Sequence, residues 1–157
     1  MGSSLMAAEL DPDNGIPPKT YRLDEVSVRL TRHPGRPNFP VRRLSLSGKG
    51  TATLERDKQS QSFQYPTKEL MALLNDLYRI RFFDMPKDLT TRYSAFYKDD
   101  GTVATSMLRL SDAPSTSVCF AVAAYEKCVT YTTDGPYELE KLTQRLFAEA
   151  DALVQPK

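Results

Sequence analysis

Residues 118–153 read VCFAVAAYEKCVTYTTDGPYELEKLTQRLFAEADAL. Val118 to Val122 and Lys127 to Thr132 are rich in β-branched and aromatic side chains, which predicts two strands. Asp134-Gly135-Pro136 stops the second, and a proline with its fixed φ suits the first turn of a helix. Beyond it Leu139, Leu142, Leu146, Ala150 and Leu153 recur at spacings of three and four, one apolar stripe along a helix. A strand pair leading into an amphipathic helix calls for a sheet with that stripe laid against it.

Centring the turn of this pair on Ala123-Ala124 sets Val118 opposite Val129, Phe120 opposite Lys127 and Cys119 opposite Cys128. Directly opposed residues have Cβ atoms about 4.5–5.5 Å apart, close to disulfide range. Two states of the cysteines stay open on this reading: a cross-strand disulfide, or two reduced thiols acting as small buried hydrophobes. A redox role is not supported, because the pair lacks the Cys-x-x-Cys spacing at a helix N-terminus that lowers a thiol pKa.

The same two periods organise the chain upstream. Val26, Val28 and Leu30 alternate with Ser27, Arg29 and Thr31 as a half-buried strand does. Leu44 and Leu46 alternate likewise, and Gly48-Lys49-Gly50 turns them into Thr51–Glu55, a hairpin. Gln61–Tyr65 continues as polar extended chain. Apolar residues at 70, 73, 74, 77 and 80 predict an amphipathic helix over 67–81 with Thr67 as its cap. Tyr93–Tyr97 and Thr102–Leu110 flank Asp99-Asp100-Gly101, a strong hairpin signal. The order of elements predicts an α+β domain: an antiparallel sheet of about five to seven strands with two helices packed on one face. Residues 1–22, with Asp11-Pro12-Asp13-Asn14-Gly15 and Pro17-Pro18, read as a flexible arm, and 23–154 as a single domain.

Composition excludes several classes. The chain has 157 residues, 40% hydrophobic and 26% charged, which is ordinary globular usage and excludes wholesale disorder. A formal charge of +1 offers no global argument for nucleic acid or an anionic membrane. The apolar runs fall far short of the roughly 20 residues that span a bilayer. One histidine, His33, and two distant cysteines make no zinc-ligand spacing, so no metal and no cofactor is expected. Asp84, Asp88, Asp99 and Asp100 match no calcium loop. No Gly-x-Ser-x-Gly elbow and no Gly-rich phosphate loop is present.

The charge is nevertheless uneven. Arg29, Arg32, Arg36, Arg42, Arg43, Lys49, Arg56 and Lys58 fall within 29–58, against Glu55 and Asp57. Such a cluster could track phosphates, but it lacks the mid-strand aromatic pair of an RNA-binding sheet, and the preferred reading is a solvated sheet face with a charged edge that discourages aggregation. His33 sits in the loop His33–Pro40 with no carboxylate near it in sequence to orient it as a base.

In its order of pieces the chain resembles a bacterial domain-of-unknown-function family of small, often exported α+β proteins. Their pattern is a strand, a Cys-x-x-x-Cys-Pro loop, a strand, a helix, further strands and a Pro-x-x-Leu-x-x-Leu helix. The matching pieces are Arg32–Pro40, Val41–Thr53, the helix from Thr67, and Pro136-Tyr137-Glu138-Leu139-Glu140-Lys141-Leu142. Gly35 and Phe39 stand in the places of the two loop cysteines, so any disulfide of that loop is absent. The resemblance implies export with the signal removed, in preference to a cytoplasmic protein, and it implies no activity.

The reading is therefore a non-enzymatic binding or accessory module for a protein or small-molecule ligand. Loops held on a rigid sheet concentrate recognition residues, so the expected contact surface is Arg32, His33, Arg36, Asn38, Phe39, Arg42 and Arg43, or the sheet face that the helices leave open. The alternatives are a nucleic-acid-binding protein using 29–58 and, more remotely, a hydrolase with a site around His33.

Overall fold

Alternating side chains commit a strand to one buried face, and five strands here do this in register. The computed structural model describes residues 15–36, 39–109, 113–132 and 135–154. Strands β1 (Val26–His33), β2 (Arg42–Ser47), β3 (Thr51–Arg56) and β4 (Gln59–Gln64) are followed by helix α1 (Thr67–Arg79). Then come β5 (Asp88–Leu89), β6 (Thr91–Tyr97), β7 (Val103–Arg109), β8 (Ser115–Val122), β9 (Tyr125–Thr132) and helix α2 (Tyr137–Leu153). Among the described residues the strands form a seven-stranded sheet in the order β4-β3-β2-β1-β8-β9-β5 and a separate pair β6-β7. The large sheet is antiparallel except at its β5 edge, where the two-residue strand runs parallel to β9. The fold is thus α+β with a largely antiparallel, mixed sheet, a correction to the all-antiparallel expectation. So short a strand carries no period to read, and only the docking of the chain after α1 places it.

Register ties the faces together. Val28 faces Leu46 and Phe120, Leu30 faces Leu44 and Val118, and Val118 faces Val129. These residues are almost wholly buried and form one cluster with Leu70, Leu73, Leu74 and Leu77 of α1 and Leu139, Leu142, Leu146 and Phe147 of α2. Leu153, expected on the same stripe, is exposed, because the stripe runs out at the end of the helix. The other sheet face carries Ser27, Arg29, Thr31, Arg43, Ser45, Thr53 and Glu55.

Several local expectations change. Pro66, in extended conformation, is the N-cap of α1 with no side-chain cap bond, so Thr67 is its first residue. The helix ends at Arg79, and Arg81 takes a left-handed conformation that turns the chain into Phe82–Asp84, a short 3-10 turn burying Phe82 and Phe83. The 59–64 segment is a full strand, joined to β3 by a tight turn with Asp57 at positive φ. β1 extends to His33, which pairs with Ser115 instead of belonging to the loop. Gly48 lies so close to the Leu23 carbonyl that a Cβ there would collide with it.

Of the expected arm 1–22, residues 1–14 lie outside the described residues. From Gly15 onward the chain rests on the domain: the Tyr125 hydroxyl donates to the Gly15 carbonyl at 2.9 Å, and Tyr21 packs edge-on to Phe120.

Candidate functional site

Arg32 lies two residues beyond Leu30, so strand geometry points it to the buried face, where β1 ends. Its partner across the ladder is Arg42, and the partner of Arg42 on β3 is Arg56. Three arginines therefore stand in a row on three adjacent strands. Directly opposed like charges repel, so the row needs acids. Helix α2 supplies them. Glu140 and Asp151 are about three turns apart and so share one side of the helix. Arg32 makes a two-pronged contact with Glu140, Nη2 to Oε2 at 2.9 Å and Nη1 to Oε1 at 3.2 Å. Arg42 and Arg56 both donate to Asp151. Between the two acids Phe147 offers its ring to Arg42 at 4.5 Å and to Arg32 at 5.6 Å. Aromatic faces attract guanidinium groups, which are weakly hydrated planar cations.

Glu140 is the hub of the arrangement. Besides Arg32 it accepts from the Gln144 amide at 2.8 Å and the Tyr131 hydroxyl at 2.8 Å. Two bonds to each oxygen fill the roughly four acceptor directions of a carboxylate. Burial alone would raise its pKa, but the bonds from Arg32, Gln144 and Tyr131 outweigh it and hold the group below its ordinary value. The Tyr131 hydroxyl also lies 3.1 Å from Thr143 Oγ1, which itself donates to the Leu139 carbonyl; of its two acceptors Glu140 is the nearer and the charged one, so it takes the single Tyr131 proton. Burial pushes the Tyr131 phenol up.

Two carboxylates against three guanidinium groups leave the row with one positive charge. One donor in it is also unused: Arg42 Nε is buried and, among the described residues, has no hydrogen-bond partner. Beside the row, where β1, β2 and β8 end near the first turns of α2, lies an open cleft of about 460 Å³. His33, Arg42, Ser115, Thr116 and Gln144 are on its wall, with Pro34, Pro40 and Pro114. Thr116 accepts from Arg32 Nη1 at 2.7 Å.

Of the residues expected at a site, Arg32, His33 and Arg42 converge on this cleft. Arg36 and Phe39 instead pair with each other in the loop, the guanidinium 5.5 Å from the ring centre. Asn38 lies outside the described residues. Arg43 is on the opposite sheet face beside Glu55 at 3.7 Å. The basic stretch is divided in the same way: Arg29 pairs with Glu126 at 2.8 Å on the far face, while Arg32, Arg42 and Arg56 are bound to α2. His33 is exposed, and among the described residues no carboxylate is hydrogen-bonded to it.

The far face also carries Cys119 and Cys128, which are in register, 4.1 Å apart at Cα and joined by a disulfide. Their sulfur atoms and a Glu126 oxygen lie within 4.8 Å of one another. Metal coordination requires thiolates, and the bridge removes both.

Sequence reasoning missed Glu140, Thr116, Tyr131 and Gln144. Part of the signal was present, since the same register that opposes Cys119 to Cys128 also opposes Thr116 to Tyr131. What joins α2 to β1 is contact between residues more than a hundred positions apart, which no local pattern carries. No protein-family model and no curated protein matches the chain.

Proposed function

We propose that the protein is a non-enzymatic binding module whose cleft at the arginine row takes a small anionic group, a carboxylate or a phosphate, on an otherwise neutral ligand or peptide. The observation that carries this reading is the buried Nε–H of Arg42, without a hydrogen-bond partner among the described residues, beside a cleft whose one described lining carboxylate, Glu140, is already saturated. An unpaired buried donor costs free energy that an incoming acceptor restores, and a guanidinium fork suits planar oxyanions. The hydroxyls of Ser115 and Thr116 and the ring of His33 are at hand to hold the remaining oxygens.

A hydrolase needs a base with a free lone pair. Glu140 has none to spare, and among the described residues no carboxylate orients His33. A nucleic-acid surface needs cations free to meet phosphates, and five of the basic residues in 29–58 are committed to ion pairs. Both helices, on this reading, cover the apolar sheet face and leave the polar face open as a second contact surface. Export fits the disulfide, because such bridges persist in oxidising compartments. The resemblance to a family of small exported proteins agrees with that compartment and adds no activity.

The test is an NMR titration of the full chain with acetate and with inorganic phosphate, following the arginine Nε–H resonances. Arg42 is expected to move and saturate with one anion, and Arg42→Gln to abolish the response while leaving the far-face resonances unchanged. No movement of Arg42 Nε–H at about 50-fold excess of either anion over protein rejects the anionic ligand.

A further inference from the structure

Among the described residues the hairpin β6-β7 stands apart from the large sheet, paired only with itself. From Arg92 to Tyr97 every residue of β6 is exposed, and in β7 from Val103 to Leu108 only Ala104 is not. A two-stranded ribbon is marginal at best in water, and this one is not even polar. Its register places Tyr93 beside Met107, Ala95 beside Thr105 and Tyr97 beside Val103, all on one face. Tyr93 is 72% exposed, Tyr97 76%, Val103 65% and Met107 67%. From Tyr93 to Tyr97 and from Val103 to Met107 that face carries no charged side chain. The contrast with β4, an edge strand of the large sheet, is direct: Gln59-Ser60-Gln61-Ser62-Phe63-Gln64 is the polar edge that discourages pairing.

We propose that this hairpin face is the contact through which two copies of the chain associate, packed face to face about a two-fold axis through the Ala95–Thr105 pair. A two-fold contact must be self-complementary, and this face is. The small residues lie at the axis. The Tyr97–Val103 end of one copy then meets the Tyr93–Met107 end of the other, so each aromatic ring covers an apolar partner. The antiparallel arrangement also keeps the two acidic tips, Asp99 and Asp100 of each copy, at opposite ends of the contact, whereas a parallel one stacks acids on acids. An anionic lipid surface is disfavoured by the same acidic tip. Large side chains exposed to this degree bury roughly 600 Å² per copy, about 1,200 Å² in all, the low end for a specific interface. The expected dimer is accordingly reversible, with dissociation on the order of micromolar. The surface is separate from the anion cleft and does not depend on it.

Sedimentation velocity of the full chain over a wide concentration range should show a reversible shift from monomer to dimer mass. Tyr97→Asp alone and Met107→Lys alone should each be monomeric, with an unchanged far-UV spectrum, since both positions are exposed. Mixing the two variants should restore a dimer through the one new Asp–Lys pair that the antiparallel packing brings together, the other end keeping Tyr97 against Met107. A wild-type chain that remains monomeric throughout, variants that dimerise like the wild type, or binding of the hairpin to phosphatidylglycerol vesicles in place of self-association would each overturn the proposal.

Discussion

Removing the disulfide is a perturbation whose size follows from chain connectivity. Cys119 and Cys128 are nine residues apart and sit side by side on β8 and β9, which are already held by their ladder. Replacing both with serine therefore changes few native contacts, and the effect acts through the unfolded chain, which regains the freedom of a closed loop. For a loop of this size the chain-entropy relation gives about 2.6 kcal/mol. In a domain of this length that corresponds to a loss of roughly 8 °C in melting temperature. The assay is thermal unfolding followed by circular dichroism for three samples: native protein, native protein with reductant, and Cys119→Ser/Cys128→Ser. Reduced and double-variant proteins should melt together, well below the native protein, and addition of reductant should leave the double variant unchanged. Equal melting of native protein and double variant, or two free thiols found in denatured protein that was never reduced, would refute the reasoning.

Other outcomes follow from the core and the arginine row. Phe120, fully buried among Tyr21, Phe83 and Tyr125, should cost about 3–5 kcal/mol when cut to alanine, read by urea unfolding. Because Glu140 has its folded pKa lowered from the ordinary 4.5, its stabilisation is complete above that value and is lost as pH falls through the folded one. Urea midpoints between about pH 6 and pH 3 should therefore fall less steeply for Glu140→Gln than for the wild type. Gly48→Ala should destabilise by about 1–3 kcal/mol through collision with the Leu23 carbonyl, measured the same way.

Much of the fold was legible because period and turn chemistry are local. The alternation at Val26, Val28 and Leu30, the Asp99-Asp100-Gly101 turn and the stripe from Leu139 to Ala150 each report their own element. The register of β8 on β9 followed from placing the turn centre at Ala123-Ala124, which the ladder bears out. The parallel β5 edge and the place of β1 between β2 and β8 are set by which strands bury one another, because the pairs β1-β8 and β9-β5 join strands distant in sequence. The site was half legible. Arg32, His33 and Arg42 were marked by a clustered charge, but Glu140 and Asp151 look like ordinary solvated acids on a helix.

The sequence by itself determined the α+β class, the two amphipathic helices, the opposition of Cys119 to Cys128 and the arginine-rich segment, since each is encoded within a window of a few turns. Only the tertiary structure decided which arginines act together. Strand pairing aligns Arg32, Arg42 and Arg56, and a helix from the far end of the chain neutralises all but one charge of that row. That division arises because like charges brought into register must be answered from wherever the packed chain can supply an acid.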